Sequence, residues 1–153
     1  MTPRATLSPA RLAGLLVPPL LAMGLIFFLS AQPSGEVDRA WWDVLARKLA
    51  HVTEYAVLTG LWWRALHGLG VRFARALALA IAISLGYAAT DEFHQTFVEG
   101  RQGTPVDVLI DSAGITLAAT AIAVLRLRAA ADRRALAADG RVGERLDRAR
   151  QPG

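Results

Sequence analysis

Cysteine is absent from the sequence, which excludes disulfide bonds, thiolate metal sites and a cysteine nucleophile. Lysine is nearly absent as well, because Lys48 stands alone beside sixteen arginines. The sequence contains no internal repeat and no groove-reading helix with an aromatic–basic surface, so its net charge of +4 does not indicate a nucleic-acid partner. Alternating or helical apolar periodicity is also missing, since the apolar residues form blocks. These absences argue against an ordinary soluble domain.

The apolar blocks are the main positive signal. Hydrophobic residues make up 54% of the 153 residues, and the blocks reach lengths that cross a bilayer. They predict an all-α integral membrane protein with four transmembrane helices in a small bundle, at about 12–31, 46–67, 73–97 and 106–126. Residues 31–36 form a turn signal after the first helix. We expect one membrane domain at 1–128 and a cytoplasmic Arg/Ala-rich tail at 129–153 that is partly disordered.

The distribution of basic residues predicts the orientation. Thirteen of the seventeen lysines and arginines precede the first helix, lie between helices two and three, or follow helix four. Because basic residues are enriched in cytoplasmic loops, both termini are expected in the cytoplasm. The protein is therefore predicted to be a multi-pass protein of the cell membrane.

Polar side chains are concentrated at the outer ends of helices two, three and four. An ionised side chain at mid-bilayer costs about 2.5–3.5 kcal/mol, and Glu54 and Asp111 are expected to lie deepest. Spacings of three, four and seven residues place these side chains in one stripe per helix, and Glu92 is expected to face the bundle. The sequence thus predicts an outward-facing binding site formed by Lys48, His51, Glu54, Tyr55, Asp91, Glu92, His94, Gln95, Arg101, Asp107 and Asp111.

Several functions fit such a site. An enzyme acting on lipid-linked phosphate would use a histidine as general base, with catalytic candidates His51, Glu54, Asp91 and His94. A divalent metal would suit two histidines and carboxylates, but no ligand spacing is present, so neither a metal site nor a cofactor is predicted. The inner halves of the helices are uniformly apolar, so no polar path crosses the membrane, which argues against a proton-coupled transporter. A structural polar network and a binding site for an amphiphile remain open.

Three motifs resemble the VanZ-like family of small bacterial membrane proteins. They are KLAHVTEYAVL at residues 48–58, DEFHQTFVEGR at 91–101 and DVLIDSAG at 107–114, and LSAQPSG at 29–35 is similar to the turn that ends the family's first helix. The resemblance covers residues 27–118. It departs from the family at Glu99, where proline is frequent, and at Asp111, where many members have asparagine.

The resemblance maps the family's polar residues onto Lys48, His51, Glu54, Tyr55, Asp91, Glu92, His94, Gln95, Arg101 and Asp107. The founding member is an accessory protein of glycopeptide-antibiotic resistance, linked to teicoplanin. The resemblance therefore links the chain to glycopeptide resistance. For the polar site we expect a cell-envelope protein that contacts membrane lipid and binds an amphiphile such as a lipid-linked wall precursor or a glycopeptide. A membrane hydrolase or transferase is the alternative, and the oligomeric state is not predicted.

Overall fold

The structure, a computed structural model, describes residues 8–32, 41–101 and 103–150, and only the backbone of residues 140–150. Within these ranges the chain is all-α, without a strand, and has four helices: α1 (Pro9–Ser30), α2 (Trp41–Gly68), α3 (Phe73–Gln95) and α4 (Pro105–Arg150). The prediction of four helices is confirmed. Residues 33–36 of the predicted turn and residues 151–153 of the predicted tail lie outside the described residues.

Three of the helices have the length and apolar composition needed to cross a membrane. These are α1, α3 and the segment Pro105–Asp139 of α4. Many of their large apolar side chains are exposed, Leu21 and Phe28 of α1 among them. A soluble protein rarely exposes so large an apolar surface, so these helices fit a lipid environment. The second helix, α2, does not qualify by composition because it carries several charged residues.

The helix α2 packs against both α1 and α3. The buried core draws on all four helices, with Ile26 from α1, Tyr55 and Leu58 from α2, Ala88 from α3 and Ile115 from α4. The charges of α2 are therefore carried by a helix that packs against two neighbours.

Hydrogen bonds between helices supplement this packing. Thr59 of α2 donates its hydroxyl to Ser84 Oγ of α3 at 3.0 Å, and both residues are fully buried. The Tyr87 hydroxyl of α3 donates to the Met23 carbonyl of α1 at 2.6 Å. Small polar side chains commonly connect helices in membranes in this way.

The helices α2 and α4 approach each other closely at Gly114. A Cβ atom added at Gly114 would collide with the carbonyl group of Val52. The two backbones thus touch at this point, which only a residue without a side chain permits.

The chain divides into a unit that ends at Ala119 and a second unit that begins at Thr120. The site described below lies in the first unit. In the second unit α4 continues to Arg150, beyond the predicted helix end at 126. Alanine and arginine favour helix strongly, so the backbone stays helical where the apolar pattern ends. The predicted domain boundary at residue 128 stays a prediction.

Candidate functional site

A histidine–aspartate pair joins α2 to α4. His51 Nδ1 lies 3.0 Å from Asp111 Oδ1, with 14% of the His51 side chain and none of the Asp111 side chain exposed. The backbone contact at Gly114, three residues after Asp111, holds the two helices close enough for this short distance. The pair therefore depends on a glycine that makes no polar contact itself.

A second pair lies one helical turn closer to the starts of α2 and α4. Lys48 Nζ is 3.5 Å from Asp107 Oδ1, and the two side chains are 44% and 31% exposed. Asp107 also accepts the Thr104 hydroxyl at 2.7 Å, and its amide donates to Thr104 Oγ1 at 3.3 Å. The Thr104 hydroxyl thus caps the start of α4 by accepting from the Asp107 amide, with Pro105 at the first helical position.

The end of α3 supplies another wall of the site. Glu92 is buried, with 4% exposed. It accepts a hydrogen bond from Gln95 Nε2 at 3.2 Å and another from the Thr104 amide at 3.2 Å. Gly103 allows this loop to approach, because a Cβ there would collide with the Glu92 carbonyl. The expectation that Glu92 faces the bundle is confirmed.

Arg101 connects the loop after α3 to the end of α1. Its guanidinium donates to the carbonyls of Leu29 at 3.0 Å and Gln32 at 3.1 Å, and to Gln95 Oε1 at 3.2 Å. These carbonyls belong to the last turn of α1 and the residues just after it, where the helix leaves acceptors unpaired and its dipole is negative. Arg101 therefore has a structural role in addition to any role in binding.

These side chains surround a pocket of about 330 Å³ at one end of the bundle. Polar and charged residues dominate its lining, and two aliphatic residues complete it. The lining consists of Val44, Arg47, Lys48, His51, Glu92, Gln95, Gly100, Arg101, Asp107, Ile110 and Asp111.

Seven of the predicted binding residues line this pocket, namely Lys48, His51, Glu92, Gln95, Arg101, Asp107 and Asp111. Four predicted residues lie elsewhere. Asp91 accepts hydrogen bonds from Ser30 and Gln95, and the His94 ring stacks on Phe27 at 4.5 Å. Both of these side chains contact α1.

The other two are on α2. Tyr55 is fully buried in the core, and its hydroxyl has no hydrogen-bond partner among the described residues. Glu54 is half-buried and does not line the pocket. The ligand-binding roles of all eleven residues remain predictions.

The pocket also contains residues that the sequence-based prediction did not include. Arg47 and Val44 precede His51 by four and seven residues, so helical spacing alone would have placed them on the same face. Ile110 lies beside Asp111 in the chain. Thr104, which binds both Glu92 and Asp107, had no comparable signal, because its contact with Glu92 depends on the path of the loop.

One group of side chains has the composition of a metal site. Donor atoms of His51, Glu92 and Asp111 all lie within 4.8 Å of one another. Each donor comes from a different helix. The group does not include His94, the other histidine of the predicted site. No sequence spacing could reveal a set of this kind.

A helical bundle with lipid-compatible surfaces and a polar pocket at one end defines the class of this chain as a small helical membrane protein. The sequence profile of the VanZ/LLP1 family matches residues 15–126, which is most of the chain. The chain belongs to the VanZ/LLP1 family, and the predicted family resemblance is confirmed. Comparison with curated proteins and with solved structures found no match.

Proposed function

We propose that all four helices cross the cell membrane, with both termini in the cytoplasm and the pocket in the outer leaflet. The 28 residues of α2 span about 42 Å, which exceeds the hydrocarbon core of about 30 Å. The surrounding helices and the pocket accommodate its polar side chains. This orientation follows the distribution of arginines.

The absence of native cysteine makes the orientation simple to test. Single substitutions Glu99→Cys and Arg72→Cys place thiols on exposed residues at opposite ends of α3. A membrane-impermeant maleimide should label Glu99→Cys in intact cells and Arg72→Cys only after lysis. The reverse pattern would contradict the proposed orientation.

We propose that the pocket binds the anionic headgroup of an amphiphile, of the class of lipid-linked wall precursors. The observation that carries this proposal is the lining itself. Lys48, Arg47 and Arg101 offer cationic groups for a phosphate, and Val44 and Ile110 add apolar surface. Small-molecule sites commonly combine apolar lining with a few oriented polar groups. The Lys48 side chain is 44% exposed and forms an ion pair with Asp107, so its ammonium is accessible to a ligand.

Binding of a polyprenyl diphosphate to purified protein in nanodiscs, measured by native mass spectrometry, tests this proposal. Lys48→Ala should weaken binding at least about tenfold, which corresponds to about 1.4 kcal/mol. Arg72→Ala, which removes an exposed cation that makes no side-chain cap, should leave the affinity unchanged. Equal affinities of wild type and Lys48→Ala would contradict the proposal.

A glycopeptide antibiotic, the ligand class implied by the family's founding member, provides the second arm. If the antibiotic binds without the polyprenyl diphosphate, and if this binding is lost in Lys48→Ala, the antibiotic replaces the lipid as the proposed ligand. Only such antibiotic binding would support a role of this chain in antibiotic resistance.

The His51–Asp111 pair favours one alternative, a membrane hydrolase or transferase. With Nδ1 hydrogen-bonded to Asp111 at 3.0 Å, the other ring nitrogen would accept the proton of a water, or of an acceptor hydroxyl, that attacks the phosphorus of a bound phosphate ester and displaces its leaving oxygen. Asp111 would orient the imidazole, although it is not among the catalytic candidates predicted from the sequence. Release of phosphate from the polyprenyl diphosphate by wild type and His94→Gln, but not by His51→Gln, would support this alternative.

A further inference from the structure

We propose that His51, Glu92 and Asp111 hold a divalent transition-metal ion at the base of the pocket. Their donor atoms lie within 4.8 Å of one another, while two ligands of the same ion are at most about 4.2 Å apart when each metal–ligand bond is about 2.1 Å. Ligands of a tetrahedral ion lie only about 3.4 Å apart, so side-chain rotations that shorten the widest separation by up to about 1.4 Å would bring the three donors onto one ion.

Asp111 provides the independent observation that points to a ligand. Its side chain is fully buried, and its Oδ2 atom has no hydrogen-bond partner among the described residues. A buried carboxylate oxygen without a partner is unfavourable by about 1–3 kcal/mol or more, and such groups are rare in native proteins. An ion bound beside His51 would satisfy this oxygen.

Glu92 is already oriented as a metal ligand would be. One of its oxygens accepts the Gln95 amide at 3.2 Å and the other accepts the Thr104 backbone amide at 3.2 Å. Outer hydrogen bonds of this kind fix ligating carboxylates in metal sites. Because the carboxylate retains lone pairs after two such bonds, it remains able to coordinate an ion.

The donor set predicts which ion binds. One imidazole nitrogen with two carboxylates suits Zn²⁺, Co²⁺ or Mn²⁺ better than Mg²⁺ or Ca²⁺, which take oxygen ligands. Three protein ligands leave coordination positions towards the pocket, as in zinc sites that bind a further ligand. The proton shared between His51 Nδ1 and Asp111 Oδ1 would be released when the ion binds.

A bound ion would also change the charge of the pocket. Three cationic side chains and three carboxylates line it, so their formal charges cancel when His51 is neutral. A dication would leave two positive charges in excess and would attract a phosphate group. This last step rests on the proposed function, whereas the metal site itself does not.

Metal binding to tag-free, chelator-treated protein in nanodiscs tests the proposal, with Zn²⁺ and Mn²⁺ titrated by calorimetry and the bound metal counted by elemental analysis. We expect one Zn²⁺ per chain and weaker binding of Mn²⁺. His51→Gln and Asp111→Asn should each weaken Zn²⁺ binding by more than about tenfold. The matched variants His67→Gln and Glu99→Gln, which alter a histidine and a carboxylate outside the group, should bind as wild type does.

Circular dichroism in the absence of metal verifies that each variant is folded. X-ray absorption spectroscopy of the zinc-loaded wild type provides a test that needs no variant. The spectrum should show that zinc is bound by one imidazole nitrogen and otherwise by oxygen atoms. A zinc spectrum without an imidazole ligand, or equal Zn²⁺ affinities in wild type and both ligand variants, would show that the group is a hydrogen-bonded network without an ion. Lys48→Ala should retain zinc, so that loss of lipid binding and loss of metal binding are distinguishable.

Discussion

Replacing Gly114 by alanine tests the backbone contact on which the site is built. The added Cβ would fall inside van der Waals distance of the Val52 carbonyl oxygen, carbonyl carbon and Cα. Since backbone atoms cannot rotate away, α4 must move from α2 by about 1 Å, and overpacking of this kind lowers the free energy of unfolding by about 1–3 kcal/mol.

The same displacement acts on the histidine–aspartate pair. The distance of 3.0 Å between His51 Nδ1 and Asp111 Oδ1 would become about 4 Å, which is beyond hydrogen-bonding range. Gly114→Ala is therefore expected to break the hydrogen bond between His51 and Asp111, in which residue 114 takes no part. The ¹⁵N chemical shifts of the His51 ring report this change, and only three histidines need to be assigned.

Gly60→Ala is the matched control. Gly60 is also inside a helix, but nothing lies within 4 Å of a Cβ added there. Both substitutions gain up to about 1 kcal/mol of helix propensity, so the difference between their unfolding free energies, measured by SDS titration in micelles, isolates the overpacking. Equal free energies for the two variants, together with an unchanged His51 spectrum, would refute the backbone contact between α2 and α4.

Further predictions concern contacts around the site and in the core. Arg101→Ala should lower the free energy of unfolding by about 2 kcal/mol because several charge-assisted hydrogen bonds are lost. Arg101→Lys should recover only part of this loss, because an ammonium cannot reproduce the planar set of donors of a guanidinium. Thermal unfolding followed by circular dichroism measures both effects. Thr104→Val should cost about 1 kcal/mol through loss of the cap with Asp107, whereas Thr104→Ser should unfold close to wild type in the same assay. A double-mutant cycle of Thr59→Val and Ser84→Ala should give a coupling of about 0.6 kcal/mol, and a coupling of zero would argue against their hydrogen bond.

The positions of the helices could be predicted from the sequence because each apolar block ends at turn residues or charges. The predicted starts at 12, 46, 73 and 106 compare with observed starts at Pro9, Trp41, Phe73 and Pro105. The helix α2 begins earlier than predicted because it includes Trp41 and Trp42, which precede the apolar block. Apolar pattern alone does not distinguish a helix that continues from one that begins anew.

The composition of the pocket could be predicted only in part, for a geometric reason. Spacing shows which side chains share a face of one helix, but not which neighbour that face meets. Thus Asp91 and Glu92 are adjacent in the chain, yet Asp91 contacts Ser30 of α1 while Glu92 contacts the loop before α4. The grouping of His51 with Glu92 and Asp111 depends on three helices at once and has no counterpart in any local pattern.

The contacts of Arg101 have a consequence for how the first helix can vary. No residue of α1, all of which the structure describes, lines the pocket, yet Arg101 is held by the carbonyls of Leu29 and Gln32. Since these acceptors belong to the backbone, the contacts of Arg101 do not depend on which side chains stand at Leu29 and Gln32. They do depend on the length of α1, because one inserted or deleted residue would turn those carbonyls by about 100° and shift them by about 1.5 Å along the axis. Insertions and deletions in α1 should therefore be tolerated far less well than substitutions at Leu29 or Gln32.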